Sequence, residues 1–183
     1  MAGTIANLEL GPCVVELGTS GSEVDLGFTM GGVKITVATD VAEVVTDQLG
    51  KVIMKQIVVG RNAQIVIPFA ETSLSLMSKI IPLASLITDA TTATKQAVVL
   101  NVPVGSDLIA SNAQSLVLTK AIGDVKSTNN NDRFQFFKAS PSGKIEVEFS
   151  ISKQRTWNVE FNAYPDSTQN FSIGLFGDNT AAA

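Results

Sequence analysis

The middle of the chain constrains the fold most, because two long strand-like runs flank a tip that contains a glycine. Val33, Ile35 and Val37 alternate with polar or small residues, a period of two that is typical of a half-buried strand. The outgoing run covers residues 31–37, the tip residues 47–50, and the returning runs residues 57–61 and 64–68. A long hairpin with a projecting tip is poorly suited to enclosing an active site and well suited to joining one subunit to the next.

Composition leaves two explanations of the surface open. The chain has 183 residues, the size of one domain, and only 16% of them are charged, against about 25% in an average soluble domain. Either copies of the chain bury part of this weakly charged surface, or the chain is a compact β domain covered by serine, threonine and asparagine.

The net charge of the chain argues against one class of function, nucleic-acid binding. The net charge is −4, and Arg61, Arg133 and Arg155 are scattered, which argues against nucleic-acid binding by phosphate neutralisation. A neutral or acidic protein surface is compatible with DNA that slides past it without binding.

The single cysteine, Cys13, allows no intrachain disulfide. We find no secretory signal and no run of about 18 apolar residues, so we expect synthesis in the cytoplasm and no membrane anchor.

A second hairpin is predicted near the end of the chain. Residues 144–151 and 157–163 both alternate, and we expect them to pair with one apolar face in a core and one polar face outside. The predicted core positions are Ile145, Val147, Phe149, Trp157, Val159 and Phe161. Shorter strands are predicted at residues 13–17, 24–29, 96–102, 115–120, 134–138 and 171–176, with a loop at 88–95 and a turn at 140–143.

One segment has helical spacing instead. Leu74, Met77 and Ile80 recur on one face, and Leu76 with Ile80 forms a second pair. Thr72 or Ser73 can cap the start and Pro82 prevents continuation, so we expect a helix of about three turns that covers the sheet.

Residues for catalysis are scarce. The chain has no histidine, which removes the usual general base and most zinc sites. Cys13 among apolar neighbours indicates a small core residue, and residues 18–22 lack the Gly-Lys-Ser/Thr ending of a phosphate-binding loop. The sequence therefore predicts no enzyme, no catalytic residue, no cofactor and no metal site.

Glu146 and Glu148 are the strongest catalytic alternative. Two carboxylates at alternate positions of a strand lie about 6.5–7 Å apart at the backbone, which overlaps glycosidase geometry. No aromatic platform for a sugar lies on that face, since Trp157 belongs to the apolar one. Solvated charges on the polar face of a strand are the alternative that we favour.

Several short motifs, in this order, resemble the major tail tube proteins of long-tailed, siphovirus-like bacteriophages. The resemblance covers residues 24–178 and rests on Val24-Asp25-Leu26-Gly27, Gly31-Gly32-Val33, Thr46-Asp47-Gln48-Leu49-Gly50, Gly60-Arg61, Ile67-Pro68-Phe69-Ala70-Glu71-Thr72-Ser73-Leu74, Leu116-Val117-Leu118-Thr119, Phe137-Lys138-Ala139-Ser140-Pro141 and Val159-Glu160-Phe161-Asn162-Ala163-Tyr164-Pro165-Asp166.

The resemblance implies a mainly β fold: a β-sandwich or barrel-like subunit with one flanking α-helix, an extended hairpin and terminal arms. We expect a single domain over residues 1–183, with arms at about 1–10 and 177–183. The family implies rings, usually hexameric, that stack into a hollow virion tail tube. DNA leaves through the tube without specific binding, and the partners are other copies, a tape-measure protein and tail-end proteins.

Two sets of site residues follow as hypotheses. Contacts between subunits are expected at the tip residues Asp47, Gln48, Leu49, Gly50, Lys51, Val52 and Ile53. The channel lining is expected at Glu146, Glu148 and Glu160, which would repel phosphate; the alternative is that this face looks outward to solvent. Alternative functions are a tail terminator, a tube protein of a contractile or secretion system, and a soluble β-sandwich binding module.

Overall fold

A computed structural model describes residues 11–182, apart from positions 48, 49, 51, 72, 102, 103, 124 and 148, and gives only the backbone at 110, 111 and 182. The fold is mainly β, with 55% strand and 12% helix. This confirms the predicted fold class.

The strands and helices have the following bounds. They are β1 Cys13–Thr19, β2 Ser22–Asp25, β3 Lys34–Val45, β4 Ile53–Phe69, α1 Leu74–Ile80, β5 Ser85–Thr88, β6 Gln96–Val99, α2 Leu108–Asn112, β7 Gln114–Ile122, β8 Val125–Lys126, β9 Arg133–Val147, β10 Trp157–Tyr164 and β11 Gly174–Phe176. The predicted strands at residues 24–29, 96–102 and 171–176 are shorter than expected, and β5 and α2 were not predicted.

One antiparallel sheet organises the molecule, in the order β2-β1-β7-β9-β10-β4-β3, and β5 with β6 forms a separate small sheet. The connection between β2 and β3 returns to the far end of β4, where the Ala70 N–H donates to the Phe28 carbonyl at 2.8 Å and the Met30 N–H to the Pro68 carbonyl at 2.9 Å. These bonds bring the two ends of the sheet together, so that it curls around one core.

The core lies on the concave side of the sheet. Alternate residues of the central strands meet there and are fully buried, among them Val15, Ile65, Leu116, Phe136 and Phe161. Because successive side chains of a strand point to opposite faces, the residues between them form a second, more polar face.

Helix α1 covers the core as predicted, but it is shorter and turned. It has seven residues, about two turns, and Ser73 caps it by accepting the Leu76 N–H at 3.0 Å. Leu76 and Ile80 are buried, whereas Leu74 is 36% exposed. The prediction that Leu74 faces the core is therefore wrong, and the pair at four-residue spacing is the one that packs.

The second predicted hairpin forms, with Trp157 opposite Val147 and Val159 opposite Ile145. Strand β9 ends at Val147, so the loop begins earlier than the alternation suggested. Phe149, a predicted core residue, is 71% exposed, and that prediction is wrong.

The predicted turn at residues 140–143 lies inside β9. There the register with β10 shifts between Val159 and Phe161, and Gly143 has a φ of 85°. The segment is therefore a bulge that bends the strand, for which a glycine with positive φ is well suited.

Candidate assembly interface

The hairpin of β3 and β4 extends well past the sheet. Strand β4 has 17 residues, and β10 pairs with it only from Phe69 to Ala63. Beyond that point, β3 is the only described strand that pairs with β4, up to the pair of Val45 with Ile53. We call residues 41–45 and 53–59 the outer half of the hairpin, and residues 34–40 and 60–69 the inner half.

The outer half carries exposed apolar residues on both faces, with Glu43 and Gln56 on one face and Lys55 on the other. Opposite residues of an antiparallel pair point to the same side, so Val41 and Val58 share one face while Ala42 and Ile57 share the other. The exposed apolar residues of this half are Val41, Val44, Val45, Ile53, Met54, Ile57, Val58 and Val59. A two-stranded ribbon of this kind is marginally stable in water unless something packs against it.

Local contacts keep the ribbon extended. The Gln56 amide donates to the Glu43 carboxylate at 3.1 Å, and the Asn62 amide to the Asp40 carboxylate at 2.9 Å. The register shifts between Asp40 and Val41 and again between Val44 and Val45. Such bulges increase the twist of a strand and re-aim its side chains.

At the tip, Asp47, Gly50, Val52 and Ile53 are exposed. The Gly50 N–H donates to the Asp47 carbonyl at 3.4 Å, and Gly50 has a φ of 71°, which favours glycine. The predicted contact residues Gln48, Leu49 and Lys51 lie outside the described residues.

A concave pocket of about 570 Å³ lies where the hairpin leaves the sheet. Val58 and Val59 form one wall, and Phe171 and Phe176 contribute to another. Phe171 has a φ of 58°, a strained conformation for a large side chain, and it is exposed. The apolar surface of the outer half therefore continues into the body of the molecule.

The predicted lining residues lie on the polar face of the sheet. Glu160 accepts a hydrogen bond from the Gln64 amide at 2.7 Å, and Glu146 forms an ion pair with Lys144 at 2.9 Å. Lys34 shares this face, because it pairs with Val66, which in turn pairs with Glu160. Glu148 lies outside the described residues.

The charge on this face differs from the sequence-based expectation. Hydrogen bonding to Glu146 and attraction to Glu146 and Glu160 raise the pKa of Lys144. Lys34 and Lys144 thus offset Glu146 and Glu160, and the face is polar rather than strongly acidic.

Two candidates for catalysis lie within the described residues, Cys13 and Glu146. Burial raises the pKa of the Cys13 thiol, which keeps it protonated and unreactive. Glu146, held by an exposed lysine, has the surroundings of a solvated surface carboxylate. Within the described part of the chain, His, Cys, Asp and Glu side chains form no group of three or more that could hold a metal ion.

Comparison with known proteins gives no assignment. No protein-family model matches this sequence, and no curated protein is significantly similar to it. Among the described residues, no helix is long and apolar enough to cross a membrane.

The sequence predicted the long hairpin with its projecting tip, and β3 and β4 form it. Its consecutive apolar residues Ile57, Val58 and Val59 are a pattern of strands that are covered on both faces. The exposure of Phe149 was missed. The alternation around Phe149 carried no signal of where its partner strand begins.

Proposed function

We propose that this chain is a structural subunit that assembles with copies of itself into stacked rings of a hollow tube, of the type found in long-tailed phage tails. The observation that carries the proposal is the outer half of the β3–β4 hairpin. It projects past the sheet and carries large apolar residues on both faces that are exposed in the single chain.

The apolar surface of the outer half is exposed to water in the single chain. Large exposed apolar patches mark contact surfaces, and each apolar Å² removed from water contributes about 25 cal/mol. In the described part of the chain, β3 is also an edge of the sheet, and an edge strand presents backbone groups that another chain can pair with. Neighbouring copies would cover both features, and a closed ring would leave no open edge.

The polar face supports the passage of DNA as part of the same proposal. In the described part of this face, Glu146 and Glu160 offset Lys34 and Lys144, so there is no net positive charge to hold phosphate. On this proposal Glu146, Glu148 and Glu160 line the channel, the rings are hexameric, and the partners are the tape-measure and tail-end proteins named above.

Two related functions share this support. A tail terminator or the tube protein of a contractile or secretion system would also need apolar contacts between copies. A soluble β-sandwich binding module would use the pocket beside Phe171 and Phe176, whose volume of about 570 Å³ suits a small ligand. Only the tube and ring proteins require both faces of the outer half to be covered.

Deletion of residues 48–53 tests the proposal. We expect the purified wild-type chain to form rings and striated hollow rods in negative-stain electron microscopy. The deletion should leave a subunit with an unchanged circular dichroism spectrum that no longer stacks. A matched control shortens the exposed loop between β5 and β6 at residues 91–94, which should leave stacking intact. Rods of normal length from the tip deletion would contradict the role of the tip, and a wild-type chain that stays monomeric would contradict the proposed function.

A further inference from the structure

The loop between β9 and β10 exposes a second apolar surface. Residues 149–156, which we call the basic loop, include Phe149, which is 71% exposed, and Ile151, which is fully exposed. The Arg155 guanidinium lies over the Phe149 ring, 4.3 Å from its centroid, and so presents the ring and the charge together. The loop frames a shallow depression of about 490 Å³ that Ala70 also lines.

The basic loop and the hairpin tip lie at opposite ends of the same strand. Strand β4 begins at Ile53, beside the tip, and ends at Phe69. Trp157, which follows the basic loop, pairs with Phe69 on one side and with Val147 on the other. At about 3.3 Å per residue, the 17 residues of β4 separate the two exposed ends by roughly 50 Å.

The charges of the two ends are opposite. The basic loop contains Lys153 and Arg155 and no acidic residue. Residues 40–47, on the β3 side of the hairpin, contain Asp40, Glu43 and Asp47 and no basic residue. Lys55 of β4 pairs with Val44 on the face opposite to that of Glu43. Neutral amides donate to Asp40 and Glu43, so these hydrogen bonds leave the negative charge of the two carboxylates in place.

We propose that the basic loop of one copy docks on residues 40–47 of β3 in a second copy, head to tail. This inference rests on the proposed function and names the acceptor for the projecting hairpin. Phe149 and Ile151 would cover apolar residues such as Val41 and Val58, which share a face with Glu43, while Lys153 and Arg155 face Asp40, Glu43 and Asp47. Because the two surfaces differ and lie at opposite ends, the contact repeats without closing, as stacking of rings requires.

Charge reversal with rescue tests the contact. The variant Lys153→Glu with Arg155→Glu should raise the protein concentration needed for rod formation about tenfold or more, because like charges then face each other across the contact. The variant Glu43→Lys with Asp47→Lys should do the same. All four changes together should restore assembly. The control Lys79→Glu with Lys95→Glu changes the net charge equally on α1 and on the β5–β6 loop, and it should assemble like wild type.

A crosslink gives an independent readout that does not depend on charge. In a Cys13→Ser background, Glu43→Cys with Ser152→Cys should give a ladder of disulfide-linked chains when assembled rods are oxidised. Three results would overturn the contact and leave the tube proposal standing. They are charge-reversed variants that assemble like wild type, a fourfold variant that does not regain assembly, and rods of normal appearance that give only monomers after oxidation. A wild-type chain that forms neither rings nor rods would overturn both.

Discussion

Strand β4 passes through two different environments, and the contrast between them shows what this chain lacks by itself. In the inner half, Ile65 is fully buried and Gln64 beside it is exposed. In the outer half, Ile57, Val58 and Val59 are all exposed, although the same partner strand runs beside them. Backbone pairing is therefore continuous along the hairpin, while side-chain burial stops halfway.

The two halves of the hairpin also differ in their pattern of apolar residues. In the inner half, residues 34–40 of β3 alternate, as a strand does when it has a core on one side and water on the other. The apolar run at residues 65–69 of β4 is at least partly buried on both faces. The outer half has runs of apolar residues, as a strand does when both of its faces are covered. A single copy of the chain buries most of the apolar residues of the inner half but not those of the outer half. The exposed apolar residues of the outer half lead us to propose assembly.

The largest expected effect tests the inner region. Phe161 is fully buried in the core beside Ile65, so Phe161→Ala should lower the free energy of unfolding by about 3–5 kcal/mol. Denaturant unfolding of the dilute protein measures this change. Phe149→Ala is the matched control, with an expected change within about 0.5 kcal/mol for an exposed site. Equal losses in the two variants would erase the distinction between core and surface.

The next effect tests the outer region. Ile57→Thr with Val58→Thr keeps β-branched residues but removes apolar surface, and we expect the free energy of unfolding to stay within about 0.5 kcal/mol of wild type. If assembly buries both side chains, about 3 kcal/mol of contact energy is lost, and the concentration needed for assembly rises roughly a hundredfold. Sedimentation velocity at increasing concentration measures the shift. An unshifted profile would show that the outer half is not a contact surface.

A smaller effect tests the helix that closes the inner region. Ser73 accepts the Leu76 N–H at 3.0 Å, so Ser73→Ala should cost about 1 kcal/mol of stability. Ser73→Asp, which can also cap, should retain the wild-type value. Thermal unfolding followed by circular dichroism separates the two variants, and a Ser73→Ala protein as stable as wild type would remove the cap from the account.

The smallest effect concerns pH. The Thr168 N–H, aided by the Lys138 ammonium at 3.1 Å, lowers the pKa of Asp166 below its ordinary value. Because the pKa of Asp166 is lower in the folded state than in the unfolded state, its ionised form stabilises the fold. This stabilisation is complete above the ordinary pKa of an aspartate, near 4, and is lost as the pH falls through the lowered pKa of the folded state. Asp166→Asn should therefore flatten the acid limb of the stability curve. Titration of the Asp166 carboxyl by NMR at its ordinary value would contradict this.

The sequence predicted the elements whose partners are regular. Alternation was enough for β1, β7, the inner half of the hairpin and the pairing of β9 with β10, because each has one face in the core. The cap at Ser73 followed from local chemistry alone. These features depend on the residues themselves and on the nearest strand.

The predictions were wrong where contacts with residues distant in the sequence determine the structure. Phe149 continues the alternation of Ile145 and Val147, yet β10 begins at Trp157 and offers no partner beyond Val147. Leu74 and Leu76 both fit a helical stripe, and the path of the chain out of β4 selects Leu76. The end of one strand and the rotation of a helix are set by tertiary packing, which local patterns do not encode.

Hydrogen exchange measured by mass spectrometry tests the central claim most directly, since it compares both halves of β4 in one experiment. In dilute protein, peptides from residues 41–59 should exchange quickly and those from residues 63–69 slowly, because only the latter lie in the core. At concentrations that give rods, we predict strong protection of residues 41–59 and little change at 63–69. Assembled particles in which residues 41–59 exchange as fast as in dilute protein would contradict the account.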